Sequence, residues 1–130
     1  MIKTFNKTIQ VVAEDLDDLN HVNNVRYVQW IQDIAKEHWQ QKAPKEMLDN
    51  SIWVVKSHFI EYKKAAVLND IIEIKTHIKE SKGALSIRIV EMFDKTSNEL
   101  ILKSKTEWVL LDAKSARPIR ISDDIQMIFK

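Results

Sequence analysis

Apolar and polar residues alternate from Thr4 to Val12, with Phe5, Ile9 and Val11 interleaved with Asn6, Thr8 and Gln10. This two-residue period predicts a half-buried strand. Polar residues from Glu14 to Asn20 break it. From Asn24 a helical period takes over: Tyr27, Ile31, Ile34 and His38 form one stripe, with Val28, Ala35 and Trp39 beside it. Arg26, Gln29, Asp33, Lys36 and Gln40 fall on the opposite face. So wide an apolar stripe suits a helix embraced by a sheet rather than one resting on its edge. Asn23 or Asn24 is suited to cap the helix start, and Pro44 ends it.

After a short polar segment, Lys45 to Asn50, the chain reads as a long strand from Ile52 to Ala66 and another from Asp70 to Lys79, where Ile72, Ile74, Thr76 and Ile78 alternate with Glu73, Lys75 and His77. The Leu68-Asn69-Asp70 corner suits a hairpin turn. Leu85 to Phe93 and Ile101 to Leu111 continue the strand period on either side of a turn-rich stretch, Asp94 to Asn98. Ser115 to Arg120 leaves the sheet, and Ser122-Asp123-Asp124 can cap a final short helix. The plan is α+β: a strand, a long helix, then four consecutive strands expected to pair as antiparallel neighbours around the helix.

Composition narrows the function classes. A chain of 130 residues, 45% hydrophobic, with one glycine, two prolines and no repeat fits a single domain over residues 1–130. Twenty basic against nineteen acidic residues leave a net charge of +1, which offers no global field for nucleic acid or a membrane surface. The stretch Met1 to Lys7 lacks the apolar core of a signal peptide, and no apolar run reaches the roughly 20 residues that span a bilayer, so a soluble, cytoplasmic protein is expected. With no cysteine, thiol nucleophiles, disulfides and thiolate metal sites are excluded.

Chemistry concentrates in Asp15-Leu16-Asp17-Asp18-Leu19-Asn20-His21-Val22-Asn23-Asn24-Val25-Arg26-Tyr27, immediately before the helix. One explanation is a solvated loop, with Asn23 or Asn24 capping the helix and Asp17 and Asp18 favouring its positive end. The other uses the same physics for acyl transfer: free N–H groups at the helix start polarise a carbonyl while a nearby carboxylate attacks it or activates water.

The pattern Asp-x-Asp-x-x-x-His-Val-Asn-Asn-x-x-Tyr resembles that of the hot-dog thioesterases, which include 4-hydroxybenzoyl-CoA, bacterial acyl-CoA and plant acyl-carrier-protein thioesterases. The likeness continues through Val28-Gln29-Trp30 and, more loosely, through His58-Phe59-Ile60-Glu61-Tyr62 and Asn69-Asp70. It implies a five- or six-stranded antiparallel sheet wrapped around one long central helix. It also implies hydrolysis of an acyl-CoA or acyl-carrier-protein thioester without cofactor or metal, in a site between the subunits of a homodimer or homotetramer. Asp17 takes the position of the catalytic carboxylate, as nucleophile or general base, and Tyr27 that of the family's helix tyrosine. The plant enzymes carry asparagine where this chain has Leu19 and a further glutamate where it has Ala65, so the likeness is nearer to the bacterial acyl-CoA type.

Around Asp17, the resemblance places the oxyanion donor at the backbone N–H near Asn24, with Asn23 beside it; both are also helix-cap residues. His21 either stabilises the loop or contacts the thioester or a water. Glu61 is either a site carboxylate reaching a partner subunit or an outward strand residue paired with lysine. His38, His58 and His77 lack metal-ligand spacing. Lys56, Lys63, Lys64, Arg88 and Arg120 are candidates for the phosphates of coenzyme A, and Trp53, Met92, Trp108 and Met127 either line an acyl tunnel or fill the core. Two rival functions share this plan: an acyl-CoA or hydrophobic-ligand binding module without hydrolysis, and a dehydratase using His21 with Asp17.

Overall fold

The structure is a computed structural model that describes residues 3–130. Its centre is α1, Asn24–Lys42, enclosed by one antiparallel five-stranded sheet: β1 Phe5–Gln10, β2 Ser51–Tyr62, β3 Ile71–Lys82, β4 Leu85–Asp94 and β5 Leu100–Asp112. Among the described residues the two further α-helices are α2, Lys45–Asn50, and α3, Asp123–Ile128, whose start is capped by Ser122 Oγ, and a single 3-10 turn, Ala13–Asp15, precedes α1.

The strands lie in the order β1-β3-β4-β5-β2. Only β3, β4 and β5 are sequential neighbours, so the expected pairing of four consecutive strands is corrected: β2 crosses to the far edge and pairs with β5. The Leu68–Asp70 corner is a turn, with Asn69 at φ 70° and the Asp70 carboxylate accepting from the Val67 N–H at 2.9 Å, but it leads from the edge strand β2 to the interior strand β3, which do not pair, and is not a hairpin. The strand read to Ala66 ends at Tyr62. The polar segment Lys45 to Asn50 folds into α2 because Met47 and Leu48 pack onto the core, while the Asn50 side chain bonds back to the Glu46 carbonyl at 2.9 Å.

Six residues of α1 are buried, Tyr27, Ile31, Ile34, Ala35, His38 and Trp39, all from the apolar stripe. They help build two separate apolar clusters. One gathers Tyr27, Ile31 and Ile34 with Ile72, Ile74, Val90, Met92 and Leu102; the other gathers Trp39 with Leu110, Ile121 and Ile125. The inner sheet face also carries a band of polar side chains. Arg88 on β4 is opposite Thr106 on β5, which is opposite His58 on β2. His58 Nδ1 and Thr106 Oγ1 are 2.7 Å apart, and Arg88 Nη1 donates to His38 Nδ1 at 2.9 Å and to Thr76 Oγ1 at 3.1 Å.

Candidate active site

The loop between β1 and α1 is held by its own backbone and two aspartates. Asp15 is 7% exposed; it accepts from the Val12 N–H at 2.9 Å and pairs with Arg26 Nε at 2.9 Å, so it locks the loop to the first turn of α1. Asp17 opens a turn in which its carbonyl accepts from Asn20, itself at φ 62°, and its N–H donates to the His21 carbonyl at 2.7 Å. Asparagine tolerates this left-handed conformation better than most residues. An antiparallel bridge from Leu16 to Val22 closes the loop on itself, and one from His21 to Val67 pins it from outside.

The Asp17 carboxylate is oriented by two amides, from Leu19 at 2.9 Å and His21 at 3.2 Å, and both fall on Oδ1. The half-exposed carboxylate borders a cavity of about 450 Å3 at the helix start, which Asn24, Tyr27, Tyr62 and His21 also line. Asp17 is the only carboxylate on its wall among the described residues. Ala65 lines the same cavity and brings only a methyl group to its wall.

The start of α1 has one spare donor. Asn23 is the cap, its Oδ1 accepting from Val25 at 3.0 Å, while its carbonyl takes Arg26 at 2.9 Å and Tyr27 at 3.3 Å. The Asn24 N–H has no acceptor among the described residues. Such a group carries the partial positive charge of the helix end. The Asn24 side chain accepts instead from the Tyr62 hydroxyl.

Tyr27 faces the cavity from α1, and its hydroxyl oxygen accepts from the buried Ala66 N–H at 3.0 Å. Burial pushes this phenol above its usual range, with Tyr62 and Asp17 acting in the same direction, so it stays protonated at neutral pH. Tyr62, also raised by burial, packs its ring 5.9 Å from that of Tyr27. Sequence reasoning did not single out Tyr62 as a site residue; strand alternation with Ile60 would have put it on the inner face.

The structure brings Asp17, His21, Asn24 and Tyr27 to one cavity, with the Asn23 side chain turned into the cap. It does not bring Glu61 there. Glu61 is on the outer face of β2, exposed and paired with Lys63 Nζ at 3.4 Å. Of the candidate phosphate ligands, Lys64 is engaged by Asp94 at 3.1 Å and Glu99 at 3.4 Å, and Arg88 is inside the fold, 4% exposed. Of the tunnel candidates, Met92 is fully buried in the apolar core and Met127 is 63% exposed, whereas Trp53 and Trp108 border a second cavity beside α1. Among the described residues no helix is long and apolar enough to cross a membrane.

Comparison with known proteins accords with this architecture. A probable thioesterase from Escherichia coli superposes with a TM-score of 0.86 at 21% identity, over 95% of this chain and 94% of the other. A Staphylococcus aureus protein solved in complex with CoA gives 0.86 at 13% identity, over 98% and 82% of the two chains. The 12:0-ACP thioesterase from Umbellularia californica gives 0.81 at 16% identity over 95% of this chain, which spans 48% of that one. No curated protein matches the chain in sequence. The family model for the acyl-ACP thioesterase N-terminal domain matches residues 2–129, so the chain belongs to that family of acyl thioester hydrolases and is a hot-dog thioesterase.

Proposed function

We propose that the protein is an acyl-CoA or acyl-carrier-protein thioesterase in which Asp17 and the Asn24 N–H act on the two sides of the thioester carbonyl. The observation that carries the reading is the pairing of one oriented carboxylate with one unused helix-start amide on a single cavity. The carbonyl oxygen accepts from the Asn24 N–H, which stabilises the negative charge that develops there. The Asp17 oxygen not engaged by the loop either attacks the carbonyl carbon or takes a proton from a water that attacks it. The C–S bond then breaks, the thiolate of coenzyme A or pantetheine leaves, and hydrolysis yields the carboxylic acid. Tyr27, protonated and close to Asp17, can donate its proton to a substrate oxygen or a water, and His21 lines the mouth. A coenzyme A carrier is favoured by the CoA complex of the Staphylococcus aureus neighbour and by the absence of the plant-type second carboxylate at Ala65.

Asp17→Asn is the decisive substitution, because its amide oxygen can still accept from Leu19 and His21 and so preserve the loop. Thiol release from a panel of short, long and aromatic acyl-CoA esters is expected to lose at least about a hundredfold in kcat. Wild-type rates in Asp17→Asn would end the proposal.

A further inference from the structure

Beside α1, facing β2, β4 and β5, lies a second cavity of about 510 Å3. That is an ordinary size for a small-molecule site, about 300–1,000 Å3. Exposed Gln29 and Lys36 stand at its rim, Trp53 and Trp108 form walls, and Arg88 lies at its floor. A buried guanidinium ordinarily meets a carboxylate. This one does not: every ion pair among the described residues uses another cation. Asp33, which also borders the cavity, is engaged by Gln29 Nε2 at 2.7 Å.

Arg88 is held in place without being neutralised. Nη1 donates to His38 Nδ1 and Thr76 Oγ1, and the Phe129 ring lies 5.4 Å from Cζ. A guanidinium has five N–H donors; Nε and Nη2 bond to none of the described residues. Burial lowers Arg88 to about 9, which leaves it cationic at neutral pH. The indole Nε1 atoms of Trp53 and Trp108 are buried without a partner as well. Buried donors without acceptors are costly. The two indoles and the guanidinium edge that no carboxylate meets border one cavity, and an anionic ligand would give Arg88 the acceptor it lacks.

We propose that this cavity binds a carboxylate carried on an apolar body, the carboxylate on the free edge of Arg88 and the body between the indoles of Trp53 and Trp108. The carboxylate could come from the far end of an ω-carboxyacyl thioester or from a free fatty acid. The first source rests on the thioesterase reading: His38, the partner of Arg88, is fourteen residues along α1 from Asn24, roughly 21 Å, so the acyl group would be long. The second source does not depend on hydrolysis.

Two arms separate these sources. Isothermal titration calorimetry of the full chain compares decanoate with uncharged decanamide, for wild type, Arg88→Met and Trp108→Phe. Thiol release compares hexadecanedioyl-CoA with hexadecanoyl-CoA on the same proteins. A free-acid site gives decanoate at least about tenfold tighter binding than decanamide, a preference abolished by Arg88→Met and weakened by Trp108→Phe. An acyl-end site gives a similar kcat/KM preference for the dicarboxylic ester, lost in the same variants. Should Arg88→Met not fold, the wild-type comparisons and Trp108→Phe, which keeps an aromatic ring but loses the pyrrole part of the indole wall, still decide. Equal binding of acid and amide together with equal rates on both esters overturns the proposal. Calorimetry needs no turnover, so a failed hydrolase reading would show as binding without thiol release.

Discussion

The Tyr27 hydroxyl ties the helix to the chain beyond β2, since the Ala66 N–H it accepts is fully buried. Tyr27→Phe leaves that N–H without a partner and is expected to cost about 1–3 kcal/mol in urea unfolding; an unchanged midpoint would mean that water replaces the phenol. His38 sets a pH dependence. Burial first, then Arg88 and Lys42, hold it down to about 3, against an ordinary value of 6.5. Between those values the unfolded chain binds a proton that the folded chain refuses. Stability is therefore full above pH 6.5 and falls as the pH drops, by up to about 1.4 kcal/mol per unit. His58 and His77, also lowered by burial, act in the same sense. Urea midpoints from pH 7.5 to 4.5 should fall more steeply in wild type than in His38→Gln, and parallel curves would contradict this account. At this scale the loop was legible because Asp17, His21, Asn24 and Tyr27 fall close together in sequence. The Arg88–His38 bond was not, because fifty positions separate its partners and no periodicity couples them.

Helix α1 was readable from its stripe and its Asn23 cap, and its first turn offers a clean dissection of the proposed oxyanion donor. Proline is well tolerated at the first helical position, whose N–H has no partner within the helix. Asn23, at φ −64° and ψ 136°, already has the extended conformation that a following proline requires. Asn24→Pro should therefore unfold within about 1 kcal/mol of Asn24→Ala, while losing a further ~100-fold in kcat from the missing donor. The alanine variant, which also lacks the bond from Tyr62, isolates the side-chain effect. Equal rates in the two variants would remove the backbone donor from the mechanism. Strands β3, β4 and β5 followed from alternation and from the turn-rich stretch Asp94 to Asn98, whereas the placement of β2 did not. Its run of apolar residues fits either edge of the sheet, and only the register with β5 and the core beneath it select one. For α2, six residues are too few to show a helical period, and its helix depends on Met47 and Leu48 meeting the core.

At the level of the whole molecule the unpaired side of β2 is the surface through which assembly is expected. Strand β2 is twelve residues long, its neighbour lies on one side only, and it exposes Ile52, Val54, Val55 and Phe59. A long edge with open backbone groups and apolar side chains attracts another strand, and soluble proteins usually blunt such edges with charge. Here charge is sparse along that edge, with Lys56 at the bulge between Val55 and Ser57. Pairing of two β2 edges would cover those groups and extend the sheet into a homodimer, or a homotetramer if the dimers associate further. It would also set a second subunit against Tyr62, which ends β2 and lines the Asp17 cavity, so assembly and activity should be coupled. Light scattering on a sizing column should accordingly give two or four times the 15.3 kDa of one chain. Val54→Lys with Phe59→Lys should shift the protein toward the monomer and lower kcat/KM in step, without loss of secondary structure by circular dichroism. A wild-type monomer with full activity would separate catalysis from assembly and place the whole site within one chain.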